Sequence, residues 1–592
     1  MLSIIPRISQ QLTPYCRGFR FLHLPEQNPI GLLSLIYQKH NMKRLQSLAN
    51  KIWLRPDLLK SFKAIVAIVL VAFPFIFSGH FQFGISLILG VIAAGVAETE
   101  DHFKGQLKSL FLMALLFFGM VALVYLKKID ILLYQIIYLI SVFSLVILGG
   151  VGERYRGLSN GAILASIYAM LGSYSYESWV FQPVFITSGA LSYGLITLLV
   201  LRFKPLRPLE EQLAEGFSSL SDYLNKKAIL LRGDVEKTDT LNRQLAEINI
   251  RVVTALEKCK YLLNNYAEDY GHSDQLKSYL RKFILLQSFH ERVSANPDYL
   301  EEKPEVNTAI ERIMIGYSEL FQQLAIAATK VSESLLLSKE YTHPITIDLI
   351  IEALGAEIEK LPPQTGQQFV LFFHNLKRSN SSLKKLSHAK MDSVPPELSK
   401  DNRRVWERIK EQLTFKHPRM RYAIRLTLCF AAGFALMDTL DLEKGEWVLL
   451  TSLLVNQPSY SDTRKRFFQR ILGTFSGVVL AIVLMLLVPT SSGQLVIIVL
   501  SVAGFLYYKY SNYSLAVVFV TAYVLCSNNF IDNSGIEKMY PRIIDTLIGA
   551  FLAFLAVRFL WPDWQYKRLP YLLSESFKAN TLYISAIVNE CI

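Results

Sequence analysis

Two stretches of this sequence, 62–202 and 421–560, are successions of apolar runs broken only by short polar turns, and that pattern leaves few folds open. A helix that crosses a bilayer needs about 20 mostly apolar residues, because it rises about 1.5 Å per residue through a hydrocarbon core roughly 30 Å thick. In the first stretch such runs fall at 62–79, 82–97, 107–126, 131–149, 158–174 and 182–202. In the second they fall at 421–438, 446–457, 471–488, 493–508, 512–528 and 541–560. The expectation is an all-α polytopic membrane protein with two parallel six-span transmembrane repeats separated by a cytoplasmic helical domain. The run at 446–457 is short, which calls for a tilted or half-buried helix.

The residues between the blocks read differently. Leu213, Phe217, Leu220 and Leu224 recur at helical spacing, as do Leu241, Leu245, Ile248, Val252 and Leu256, and further amphipathic runs follow up to about 389. This organisation divides the chain into a basic N-terminal segment (1–60), a first membrane block (61–205), a helical domain (206–412), a second membrane block (413–562) and a C-terminal helix (563–592). The segment 391–400, MDSVPPELSK, reads as a polar linker.

Charge then orients the blocks. The insert 206–411 carries 28 Lys/Arg against 30 Asp/Glu, whereas residues 1–60 carry 9 against 2. The overall excess of +13 therefore sits in and beside the apolar regions, which suits a membrane protein with basic edges and not a nucleic-acid binder. Basic residues gather in 39–60, at Arg154 and Arg156, at 202–207, at 416–425, at 464–470 and at 567–568, while the alternate turns are neutral or acidic. Lys127 and Lys128 are the exception. By the positive-inside rule both termini and the insert face the cytoplasm. No signal peptide is legible before the first span, and Met42 is an alternative start.

The two blocks resemble each other. The stretch 446–474 aligns with 82–110, placing Asp462-Thr463 on Glu98-Thr99 and Phe467 on Phe103, and both blocks close alike, with LRFKP at 201–205 and VRFLWP at 557–562. Six spans per copy make the copies parallel, related by an axis along the membrane normal, and place a seam between them.

The segments HPRMRYAIR (417–425), GEWVLLTSLLVNQPSYSDTRKRFFQRILGT (445–474) and PRIIDTLIGAFLAF (541–554) resemble the fusaric acid resistance (FUSC) family. The six–insert–six layout resembles its YccS-like branch of bacterial inner-membrane proteins, and also the plant aluminium-activated malate transporters. The resemblance covers about 60–590 and is most specific in 445–474. It implies an inner-membrane location and, from some members, efflux of aromatic carboxylic acids. It also implies a further cytoplasmic region after the second block, of which 569–592 reads as the first helix.

Charged residues within and beside the spans mark the candidate sites. The turn SDTRKRFFQR gathers Arg464, Lys465, Arg466 and Arg470 beside Asp462, and the planar guanidinium fork suits carboxylates. The same arginines equally serve topology, or pair across the seam, Arg466 or Arg470 with Glu98 or Asp101. Arg542 and Asp545 lie three apart on one face of the last span. A charge inside a span costs about 2.5–3.5 kcal/mol on insertion scales, so it meets a partner or a watery cavity. Asp545 can accept a coupling proton or hold Arg542 toward a substrate carboxylate; the alternative is a local Arg–Asp pair. Arg421 and Arg425 open the seventh span, and Asn456, Gln457, Ser459 and Tyr460 form a polar break around Pro458.

Motifs for nucleotide, metal and acyl chemistry (GxxxxGK[ST], HExxH, GxSxG) do not occur, so neither an enzyme nor a cofactor is expected. The leading expectation is an inner-membrane transporter that exports small organic anions, plausibly aromatic carboxylates, using the proton gradient; substrate class and direction come from the resemblance. Two alternatives stay open, a passive anion channel and a membrane-anchored scaffold or sensor acting through 206–412. The expected partners are the lipid bilayer and the anion, together with a second copy of the chain in a homodimer and a partner protein on the insert.

Overall fold

The computed structural model describes residues 54–172, 176, 178–232, 238–270, 273–294, 308–386, 403–415, 417–440, 442, 445–509, 511–532, 535, 537–561 and 565–591. Residues 1–53, Met42 among them, and the linker 391–400 lie outside these. Every regular element among the described residues is helical.

The first block contains α1 (Pro56–Phe77), α2 (Phe81–Ala97), α3 (Phe103–Val124, prolonged by a 3-10 turn Tyr125–Lys128), α4 (Ile131–Leu148), α5 (Glu153–Gly172) and α6 (Phe181–Phe203). The second contains α14 (Pro418–Leu440), α15 (Glu446–Val455), α16 (Tyr460–Leu487), α17 (Ser491–Tyr508), α18 (Tyr513–Asp532) and α19 (Met539–Phe559). Eight helices are long and apolar enough to cross a membrane: α1, α3, α4, α6, α14, α16, α17 and α18. The apolar helices α2 and α15 are shorter, at 17 and 10 residues. The remaining two expected spans, α5 and α19, fall outside the set of eight: α5 opens on Glu153, Arg154 and Arg156, and α19 carries Arg542, Asp545 and Arg558.

One boundary is corrected outright. The basic turn expected before 471 is helix, because α16 starts at Tyr460. Ser459 caps it, accepting a hydrogen bond from the Asp462 amide, and the Lys/Arg run is made of good helix formers. Hydropathy marks only the apolar part of such a helix, so the charged turns were read as loop.

Small residues set the closest helix crossings. A Cβ at Gly90 of α2 would stand 2.0 Å from the Ile186 carbonyl of α6, and one at Gly189 of α6 would stand 2.1 Å from the Leu87 carbonyl of α2. The second block repeats the device between α15 and α19, where Gly549 faces the Val448 carbonyl at 2.6 Å. Backbone approach of this kind replaces hydrophobic burial as the means of packing helices in lipid.

Between the blocks, α4 packs on α14 and α1 on α17, while α5 packs on α15 and α2 on α18. At the first two contacts the Arg419 guanidinium donates to the Val146 carbonyl at 2.9 Å, and the Ser61 hydroxyl donates to the Ala503 carbonyl at 2.8 Å. Glu98 is the residue that ends α2 and Asn456 the residue that ends α15.

The insert forms α7 (Arg207–Leu231), α8 (Thr238–Tyr270), α9 (Asp274–Ser294), α10 (Thr308–Leu337), α11 (Thr346–Glu359) and α12 (Pro363–Leu386), and the short α13 (Val405–Gln412) leads into α14. Leu213, Phe217, Leu220, Leu224, Leu241, Leu245, Ile248 and Val252 are buried as the periodicity requires, and Leu256 is half-buried. A helix α20 (Gln565–Cys591) follows the second block. The turn after α2 meets the insert: Gln212 of α7 donates to Glu100, and Asn265 of α8 donates to Asp101 at 3.1 Å.

Lys227 lies inside the insert, donating to the Val293 carbonyl at 2.5 Å and standing 5.6–5.9 Å from the rings of Tyr223, Phe321 and Phe372. Burial pushes its pKa from 10.5 down to about 8. Between those values the unfolded chain binds more protons than the folded one, so stability rises with pH across that window, and the cost of the buried charge is fully present below it. Thermal melts of the wild type and Lys227→Met at pH 7 to 10.5 check this. The wild type is expected to gain stability relative to the variant as pH rises.

Candidate functional site

Five basic side chains line one cavity of about 440 Å³ where the two blocks meet. Arg156 comes from α5, Arg419 from α14, Arg466 and Arg470 from α16, and Lys509 from the end of α17; among the described residues no carboxylate lines the cavity. Tyr168, Tyr422, Tyr513 and Gln457 add polar groups, and Leu450, Leu453, Leu454, Phe505 and Val517 form apolar wall.

The helices explain the gathering. On α16, Arg466 and Arg470 are four residues apart and therefore share a face. The Arg466 guanidinium lies 3.9 Å from the centroid of the Tyr513 ring, a cation–π contact that keeps its fork turned inward. Lys509 donates to the Gly95 and Val96 carbonyls at 3.1 Å each, tying α17 to the end of α2. Arg156 is exposed and pairs with Glu153 at 2.7 Å. Arg470 differs from the others. It is 1% exposed, reaches Thr451 Oγ1 at 3.5 Å, and has no partner among the described residues for Nε or Nη1.

Beyond Arg470 lie Arg542 and Asp545, each 2% exposed on α19. They do not bond to each other: Arg542 Nε, Nη1 and Nη2 and Asp545 Oδ2 all lack a hydrogen-bonding partner among the described residues. The expected Arg–Asp pair is thus not formed, and the Arg542 guanidinium instead lies 3.8 Å from the centroid of the Trp447 ring. Arg542 is within electrostatic range of Arg470, and Asp545 within range of Glu446, which Lys127 pairs at 3.0 Å.

The other candidates separate. Arg425 is buried and does not itself line the cavity, donating to Asn456 Oδ1 at 3.0 Å and to the carbonyls of the cavity-lining Gln457 and Pro458 at 2.5 and 3.3 Å. It occupies the carbonyls that the Pro458 break frees. Gln457 lines the cavity and donates through Nε2 to the Leu454 carbonyl at 3.2 Å. Arg464 is exposed on the other side of α16. The expected pairing of Arg466 or Arg470 with Glu98 or Asp101 does not occur. Glu98 is taken by Lys63 and by the Tyr193 hydroxyl at 2.5 Å, and Asp101 by Arg154 and His102. A carboxylate ends α2 and neutralises Lys63, whereas the neutral Asn456 ends α15 beside Arg425.

Sequence reading missed Lys509 and Tyr168 and took Arg156 and Arg419 for orientation signals alone. These residues sit on separate helices and carry no shared spacing, so only the packing unites them.

Two family models match the chain. One, described as FUSC-like inner membrane protein yccS, covers residues 109–391, and another, described as fusaric acid resistance protein-like, covers 429–556. Inner membrane protein YccS of Escherichia coli (strain K12) is 30% identical over 535 residues, 88% of this chain and 74% of the relative. The chain belongs to the fusaric acid resistance family. An uncharacterized protein of Haemophilus influenzae is 28% identical over 527 residues, 85% of this chain and 72% of that one. The uncharacterized protein YhfK of Escherichia coli (strain K12) is 25% identical over 420 residues, 70% and 58%. No solved structure matches. FUSC-family membrane proteins are in the main transport-related, and membership together with the apolar helices makes this chain a multi-pass inner-membrane protein.

Proposed function

We propose that this chain is a transporter that moves small organic anions, aromatic carboxylates among them, out of the cytoplasm along the seam between two six-helix halves, driven by the proton gradient. The observation that carries the reading is Arg470: a buried guanidinium, two of its nitrogens unpaired among the described residues, in the wall of a cavity whose described lining holds five cations and no acid. Cations around a low-dielectric opening concentrate anions, and the aromatic and aliphatic wall accommodates an apolar body behind a carboxylate head. The paired contacts α4–α14 and α1–α17, with their matching hydrogen bonds at Arg419 and Ser61, support two parallel halves. In this reading the basic mouth and the insert 206–412 face the cytoplasm, as the loop charges require.

Asp545 is the coupling group. It is a buried carboxyl with an unpaired oxygen, beyond Arg470 along the seam, and an ionisable residue there is free to exchange a proton as the anion passes. The test is benzoate uptake into proteoliposomes with and without an imposed pH gradient, comparing wild type with Asp545→Asn. Uptake driven by the gradient in the wild type and lost in the variant, with gradient-independent exchange retained, supports the reading. Equal movement of benzoate by the wild type without a gradient replaces it with a passive channel.

A further inference from the structure

A group of four side chains, two of them (Arg470 and Tyr168) also lining the cavity, is rich in hydrogen-bond donors. Arg470 of α16, Arg542 of α19, Tyr168 of α5 and Tyr523 of α18 are 1, 2, 3 and 2% exposed. Two nitrogens of Arg470 and all three of Arg542 have no hydrogen-bonding partner among the described residues, and the Tyr523 hydroxyl lies beside Ser527. The Tyr168 phenol is within electrostatic range of both guanidinium groups and of Tyr523, and the two guanidinium groups are within range of each other. Asp545, one turn from Arg542, does not bond to it.

Such an arrangement is unfavourable by itself. An unpaired buried cation retains a desolvation cost of several kcal/mol, and a second cation nearby adds repulsion. The chemistry it lacks is an acceptor with negative charge, and two guanidinium forks favour an anion with two oxygens over a spherical halide.

We propose that Arg470 and Arg542 hold one small carboxylate between them, assisted by the hydroxyls of Tyr168 and Tyr523, in an occluded site built from both blocks. Tyr168 is the first block's contribution and the other three come from the second, so the bound carboxylate joins the halves. Trp447 covers Arg542, its ring centroid 3.8 Å from the guanidinium. The site is defined by binding and stands whether or not the chain transports the anion it holds.

Thermal unfolding of the purified full chain in detergent tests this, with acetate exchanged for chloride at constant ionic strength. The wild type is expected to show a saturable rise in melting temperature with acetate that chloride does not reproduce. Arg542→Gln should lose that rise and, in chloride, melt above the wild type, because the uncompensated charge is gone. Tyr523→Phe removes one hydroxyl with little threat to folding and should weaken the acetate midpoint by roughly tenfold, the worth of about one hydrogen bond to a charged group. Equal melting of the wild type in acetate and chloride overturns the proposal. So does an acetate response that survives undiminished in both variants.

Discussion

Arg470→Gln is expected to reduce benzoate uptake by proteoliposomes more than any other single change in the cavity. Arg470 is the cation at the floor that is almost fully buried and has two unpaired nitrogens, whereas Arg156 is exposed and already paired with Glu153. Removing one side of a buried charge interaction costs about 2–3 kcal/mol or more, or roughly 30- to 150-fold in affinity. The loss should appear as a raised half-saturating benzoate concentration, while Arg156→Gln stays within a few-fold of the wild type. Arg470→Lys keeps the charge without the fork and should recover part of the loss. Equal effects at Arg156 and Arg470 would mean that the cavity attracts anions by net charge alone and has no binding floor.

The second large effect is structural. Gly90→Val places a branched side chain where a Cβ would already stand 2.0 Å from the Ile186 carbonyl and 2.9 Å from the Ala190 amide nitrogen. Both neighbours are backbone, so α2 and α6 must separate. Overpacking of this kind costs about 1–3 kcal/mol and more where backbone has to move. The variant is expected to give little monodisperse protein on size exclusion in detergent. Gly119→Val on α3 is the control, since nothing lies within 4 Å of a Cβ there, and it should behave as the wild type. A well-folded Gly90→Val protein would contradict the close crossing on which the first block is built.

Much of the architecture was legible because lipid imposes a coarse rule. Backbone groups in hydrocarbon must bond within their own helix, so apolar runs reveal where helices are. The rule fails at the ends. The charged turns of α16 looked like loop, because a helix that starts at Tyr460 is apolar only further along. The candidate site was legible only in part. Arg466, Arg470 and Gln457 were found because they cluster along the chain, and Arg542 because a charge inside an apolar run is conspicuous. Arg419 and Lys509 reach the cavity from helices far apart in sequence, and their surface-like positions gave no sign of it. Arg425 was legible only as a basic residue opening the seventh span; its partners, Asn456 and the carbonyls freed at Pro458, are ones that spacing does not reveal.

The central claim is that the seam cavity opens to the cytoplasm and receives the anion. A single cysteine at Leu454, on the cavity wall, in a chain whose five native cysteines are replaced, tests it most directly. Labelling by a membrane-impermeant maleimide would be compared in inside-out and right-side-out vesicles, each with and without benzoate. The account predicts labelling from the cytoplasmic side, slowed by benzoate in proportion to its occupancy and no longer slowed in Arg470→Gln. Labelling from the opposite side, or labelling that benzoate leaves unchanged, would contradict it.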